Sequence, residues 1–155
     1  MHQVEISIDR TEALRRFEQA TWKQGRMLEQ PQSARQVWNL QADQEESADS
    51  GLMLASFEQQ LWKGVEVMLE YVVDVAYGVK PDDRTFIIHL LLPQNWVIHS
   101  EAGLRFALLE LIQNGMMADW YDDMKPDQSK AYKQKAEVNK AEIHSIIYSL
   151  NPPSL

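Results

Sequence analysis

The sequence predicts an α+β domain, mainly α, in which a bundle of about four helices carries a small two-stranded β-sheet. Three observations predict it. Residues 4–8 and 85–92 are short runs rich in Val, Ile, Leu and Phe, with strand length and polar or Pro flanks. Longer stretches repeat apolar residues at three-and-four spacing, which puts them on one face of a helix. From residue 101 onward two such stretches, 101–120 and 127–150, are separated by the polar break Asp122-Asp123-Met124-Lys125-Pro126, as in a helical hairpin. A chain of 155 residues with 45% apolar content is large enough to bury a core and short enough to be one domain.

Taken in order, Val4, Ile6 and Ile8 alternate with Glu5 and Ser7, the period of a half-buried strand. Asp9-Arg10-Thr11-Glu12 has the form of a capping box and opens a helix over about 10–28, with Leu14, Phe17 and Thr21 on one face and Gly25 weakening the last turns. Residues 41–50 are polar and acidic, have almost nothing to bury, and read as a mobile loop. Just before it, Val37-Trp38-Asn39-Leu40 is an apolar island that would dock Trp38 on the core. The longest helical pattern runs from Leu52 to about Ala76 through Leu54, Phe57, Leu61, Val65, Met68, Val72 and Val75. Trp62, Leu69 and Val73 widen its stripe, so it reads as the central helix with two covered faces; Gly78 suits its C-cap and Pro81 blocks continuation. Residues 85–92 are apolar on both faces and read as a strand placed to pair with the first. Ser100 is the expected N-cap of the hairpin, with Glu101 in the first turn. Leu104, Leu108, Leu111, Gly115 and Ala118 form the first stripe, and the small residues would admit a close neighbour. Tyr132, Ala136, Asn139, Ile143, Ile146 and Leu150 form the answering stripe.

Composition excludes several function classes. A net charge of −8 repels phosphate backbones, so broad nucleic-acid binding is not expected. Lys125, Lys130, Lys133, Lys135 and Lys140 are the place to look for a local basic patch, and read as a solvated helix face beside Glu137 and Glu142. The absence of cysteine rules out disulfides, thiolate metal sites and thiol catalysis. No apolar run approaches the ~18 residues of a membrane span. The first residues lack a basic region followed by an apolar core, which reads as intracellular. His2, His89, His99 and His144 have no ligand spacing, and glycine-rich phosphate loops, GxSxG, HExxH and EF-hand patterns are missing. Glu58, Glu66, Glu70 and Glu110 do not form the Glu-x-x-His pairs of a di-iron bundle. The expectation is therefore no catalysis, no cofactor and no metal. Asp119, Asp122 and Asp123 surround Trp120-Tyr121 at a helix C-terminus, where the macrodipole disfavours negative charge. Three carboxylates there suit a divalent cation or a basic partner, and otherwise a solvated hairpin tip. Asp119, Trp120, Tyr121, Asp122 and Asp123, together with Trp38, are the candidate protein-interface residues, because large rings anchor interfaces.

The order of elements, and the residues "ALLELIQNGMMADWY", a Pro-containing turn, "AYKQKAEVNKAEIHSIIYSL" and a closing Pro pair, resemble small head-to-tail connector (neck or adaptor) proteins of tailed phages and prophages. The residue-level resemblance covers 104–153. The basic ending usual after the final helix is replaced by Asn151-Pro152-Pro153-Ser154-Leu155. The resemblance implies a non-enzymatic virion structural protein that forms ring-like homo-oligomers between portal and tail. It would lie in the bacterial host cytoplasm and in the virion, with no membrane and no specific nucleic acid as partner. The rival expectations are a cellular helical adaptor that binds another protein through its acidic loop and exposed tryptophans, and a metal-using helical enzyme.

Overall fold

A computed structural model describes residues 2–26, 51–77, 85–97 and 100–150. Among these, β1 (His2–Asp9) leads into α1 (Arg10–Arg26), and α2 (Gly51–Val67) is followed by a 3-10 turn (Leu69–Tyr71). Then come β2 (Val72–Tyr77), β3 (Thr85–Leu92), α3 (Glu101–Tyr121) and α4 (Pro126–Ile147). The class is α+β, mainly α, as the periodicities predict, but the sheet has three antiparallel strands rather than two, in the order β1-β3-β2.

β3 lies in the middle. β1 pairs along its whole length, from His2 opposite Leu92 to Asp9 opposite Thr85. The alternation places Val4, Ile6, Ile8, Phe86, Ile88, Leu90 and Leu92 on the buried face. The outer face carries a row in which His89 lies between Glu5, 3.5 Å from its Nε2, and Asp74, which contacts its Nδ1.

The third strand corrects the long helix expected over 52–76. α2 stops at Val67, and Met68 to Tyr71 form a turn. Val72, Val75 and Tyr77 then pair with β3, with a bulge between Val72 and Asp74 that leaves Val73 63% exposed. Val72, Val73, Val75 and Tyr77 are β-branched or aromatic, and edge pairing to β3 outweighs a helical spacing that coincides with theirs. Leu69 and Trp62 are likewise exposed, so the second covered face expected for this segment does not exist.

The central helix is α3. Leu104, Leu108, Leu111, Ile112 and Met116 are fully buried, and the helix is enclosed by α1, α2, α4 and the sheet. Gly115 permits the close approach expected of it: a Cβ there would overlap the Gln60 side chain of α2. A second small residue, Gly64, plays the reciprocal part, since its Cβ would overlap Leu108. The answering stripe on α4 is buried at Tyr132, Ala136, Asn139 and Ile143, as expected, and continues at Ile147. Leu150 lies past the helix end and is exposed, paired instead with Trp96 in an isolated bridge. Trp96 is buried and donates its indole N–H to the Ile146 carbonyl at 3.1 Å. Asp9 caps α1 by accepting from the Thr11 N–H at 2.7 Å, while Glu12 forms an ion pair with Arg105 at 2.7 Å. Ser100 is helical in backbone and makes no capping bond, so that expected cap is absent. Leu28, residues 37–50 and Gly78 lie outside the described residues.

Candidate protein-interaction site

The expected interface residues fall into two groups. At the end of α3, Asp119 accepts hydrogen bonds from Ser56 Oγ (2.5 Å) and Gln60 Nε2 (3.2 Å), both buried on α2. Those donors offset the unfavourable dipole position. Trp120 packs edge-on against Phe17 at 5.8 Å, and its buried indole N–H has no hydrogen-bond partner among the described residues. Tyr121 is buried and stacked with Tyr132 at 6.0 Å; burial, and then Tyr132, push its phenol above the ordinary value. Trp120 and Tyr121 are thus bound up with the packing of α3, whereas Asp119 is exposed and tied to α2. The second group faces solvent: Asp122 accepts from Lys133 at 3.3 Å and from Ser129 at 3.5 Å, and Asp123 is exposed. Trp38 lies outside the described residues. Asp119 and Asp122 thus serve different helices, and among the described residues no group of three His, Asp or Glu side chains has metal-holding geometry.

What the hairpin presents to solvent is decided by how α4 lies along α3, with a groove on either side. Between α2 and α4 a groove of about 360 Å³ is floored by Gly115 and Ala118. Lys63, Lys130, Lys133 and Lys140 line it, against the carboxylates of Asp119 and Glu137. Lys140 pairs with Glu137 at 3.0 Å and Lys133 with Asp122, whereas Lys63 and Lys130 have no ion-pair partner among the described residues. The expected basic patch is therefore split. Three of the α4 lysines gather here, Lys135 turns to the other side, and Lys63 arrives from a helix whose pattern gave no hint of it.

Between α1 and α4 a second groove of about 550 Å³ includes Lys23, Glu110, Lys135 and Val138 in its lining, over a floor where Asn114 bonds Asn139. Arg16 neutralises Glu110 at 2.8 Å and lies 5.4 Å from the Phe106 ring centroid. The Lys135 amine sits 4.6 Å over Tyr132. Phe106 is 57% and Val138 58% exposed beside this groove. Sequence reading missed both: α3 is apolar around much of its circumference, so its pattern does not show which face stays open, and Val138 is isolated among polar neighbours.

Both grooves offer ammonium and amide donors beside exposed apolar carbon, an arrangement suited to carboxylates and aromatic rings of another polypeptide. No helix among the described residues is long and apolar enough to cross a membrane. Compared with known proteins, the chain matches no family model, no curated protein and no solved structure.

Proposed function

We propose that the chain is a non-enzymatic virion structural protein of a phage or prophage, joining head or portal to tail by self-association. The single observation that carries this reading is the placement of exposed apolar side chains on opposite sides of the central helix. Trp62, 45% exposed, stands on the outward side of α2, and Phe106 and Val138 stand beside the α1/α4 groove. Subunits that assemble head-to-tail into a ring need two different surfaces, each partly apolar, on opposite flanks. The resemblance over 104–153 supports the same reading, under which the protein lies in the host cytoplasm until it enters a virion. Sedimentation of the purified chain over a wide concentration range, with and without the product of an adjacent portal-like gene, is the test. Association that grows with concentration or with the portal product is expected. A strict monomer that ignores it, encoded away from virion genes, overturns the proposal.

One observation favours a second reading, a helical adaptor for another protein. The α2/α4 groove concentrates four lysines on a chain of net charge −8, which suits an acidic segment of a partner. Under that reading the chain binds a polyglutamate-type peptide as a monomer.

A further inference from the structure

We infer that the α2 ridge Glu58–Trp62–Glu66 of one copy seats in the α1/α4 groove of the next; the inference rests on the self-association reading and specifies its surface. The two features lie on opposite flanks. α2 meets α3 through Leu108, Leu111, Gly115 and Asp119, whereas α1 meets it through Phe106, Glu110, Gln113 and Trp120. At ~100° per residue these sets fall on opposite sides of the helix. On α2 the side chains turned to α3 include Ser56, Gln60 and Gly64, so Trp62 points directly away, and Glu58 and Glu66 flank it one turn to either side. Both glutamates are exposed and have no ion-pair partner among the described residues.

The groove is the complement in charge and in kind. Lys23 and Lys135 are exposed on its two walls, Glu110 is already held by Arg16, and Val138 supplies apolar surface for an indole. Its volume of about 550 Å³ lies within the range of pockets that enclose groups of this size. Other occupants fit less well. An acidic peptide would satisfy the lysines and leave Val138 bare, and an apolar one would bring no carboxylate to Lys23 or to Lys135, whose amine has only the Tyr132 ring beneath it. Because ridge and groove are different patches, each copy uses one of each, and the contact propagates to a closed ring or an open filament.

The test uses the full chain and two charge-reversed variants, E58K/E66K and K23E/K135E. All four positions are exposed, and circular dichroism melting checks that each variant folds. Each variant alone places like charges across the contact and is expected to associate at least about tenfold more weakly than the natural chain. Mixed in equal amounts, the two variants restore opposite charges at every contact, and association returns. A natural chain that associates while both variants associate equally well overturns this surface and leaves self-association standing. A natural chain that stays monomeric at all concentrations overturns the self-association reading itself. Variants that are weak alone and remain weak when mixed also count against the pairing.

Discussion

Asn114 donates a 2.7 Å hydrogen bond to Asn139 across the buried seam of the α3/α4 hairpin. Both side chains are more than nine-tenths buried. On the floor of the α1/α4 groove little of either amide reaches water, so each leans on the other. Asn139→Leu strands the Asn114 donor and should cost about 1–3 kcal/mol, whereas Asn114→Leu with Asn139→Leu together should cost less than the sum of the single changes. Urea unfolding midpoints for the four chains of this cycle measure it, and purely additive losses would show that the pair is not coupled.

Leu111 is fully buried on the face of α3 that meets α2, and lies close to Gly64. Leu111→Ala should destabilise the protein by about 2–5 kcal/mol, since the packed neighbours relax only partly into the space left. An unchanged melting temperature would contradict the burial of the hairpin.

Gly115→Ala should cost about 1–3 kcal/mol, because its new methyl group meets the Gln60 side chain, which is itself buried and bound to Asp119. In that background Gln60→Ala removes the overlap and should recover part of the loss, although Gln60→Ala alone destabilises. Chemical denaturation of the single and double variants separates the two outcomes.

Tyr121 gives a dependence on alkaline pH. Its phenol is raised in the folded protein by burial and by Tyr132, while the unfolded chain titrates near the ordinary value of about 10. The folded state therefore holds the proton more tightly. The stability linked to it is fully present below about pH 10 and is lost as pH rises from there toward the higher folded value. Unfolding midpoints measured from pH 8 to 11.5 should fall at the upper end, and Tyr121→Phe should flatten that fall.

The hairpin, the first strand and the capped first helix were legible because in each the pattern and the packing agree. Val4, Ile6 and Ile8 alternate as the sheet requires, and Tyr132, Ala136, Asn139 and Ile143 recur as α4 requires. The segment after Met68 was misread for a definite reason: Val65, Met68, Val72 and Val75 satisfy a helical spacing, while Val72 and Val75 also suit a strand with a bulge between them. Only the neighbouring β3 decides between them, and that pairing is not local. The tip residues show the opposite difficulty. Trp120 and Tyr121 are large rings of the kind that anchor interfaces, but Phe17 from the distant α1 and Tyr132 from across the hairpin turn draw both into packing. The grooves were invisible because each is made by side chains of three helices, and no single periodicity records where two helices leave a gap.

The strand order has a consequence for how the protein comes into being on the ribosome. β1 is made first, yet its partner β3 begins only at Thr85, and at about 5–20 residues per second the wait lasts on the order of several seconds. During that time Val4, Ile6 and Ile8 form an apolar strand with no ladder to join, available to chaperones or to another nascent chain. The β2–β3 pair and the α3/α4 hairpin close over short sequence distances and bear little loop-closure entropy. Sequence separation therefore predicts the N-terminal strand as the last piece added to the sheet. Until it docks, β3 is an edge rather than a centre, so a chain shortened at its N-terminus would carry Thr85–Leu92 as a permanently open, sticky border.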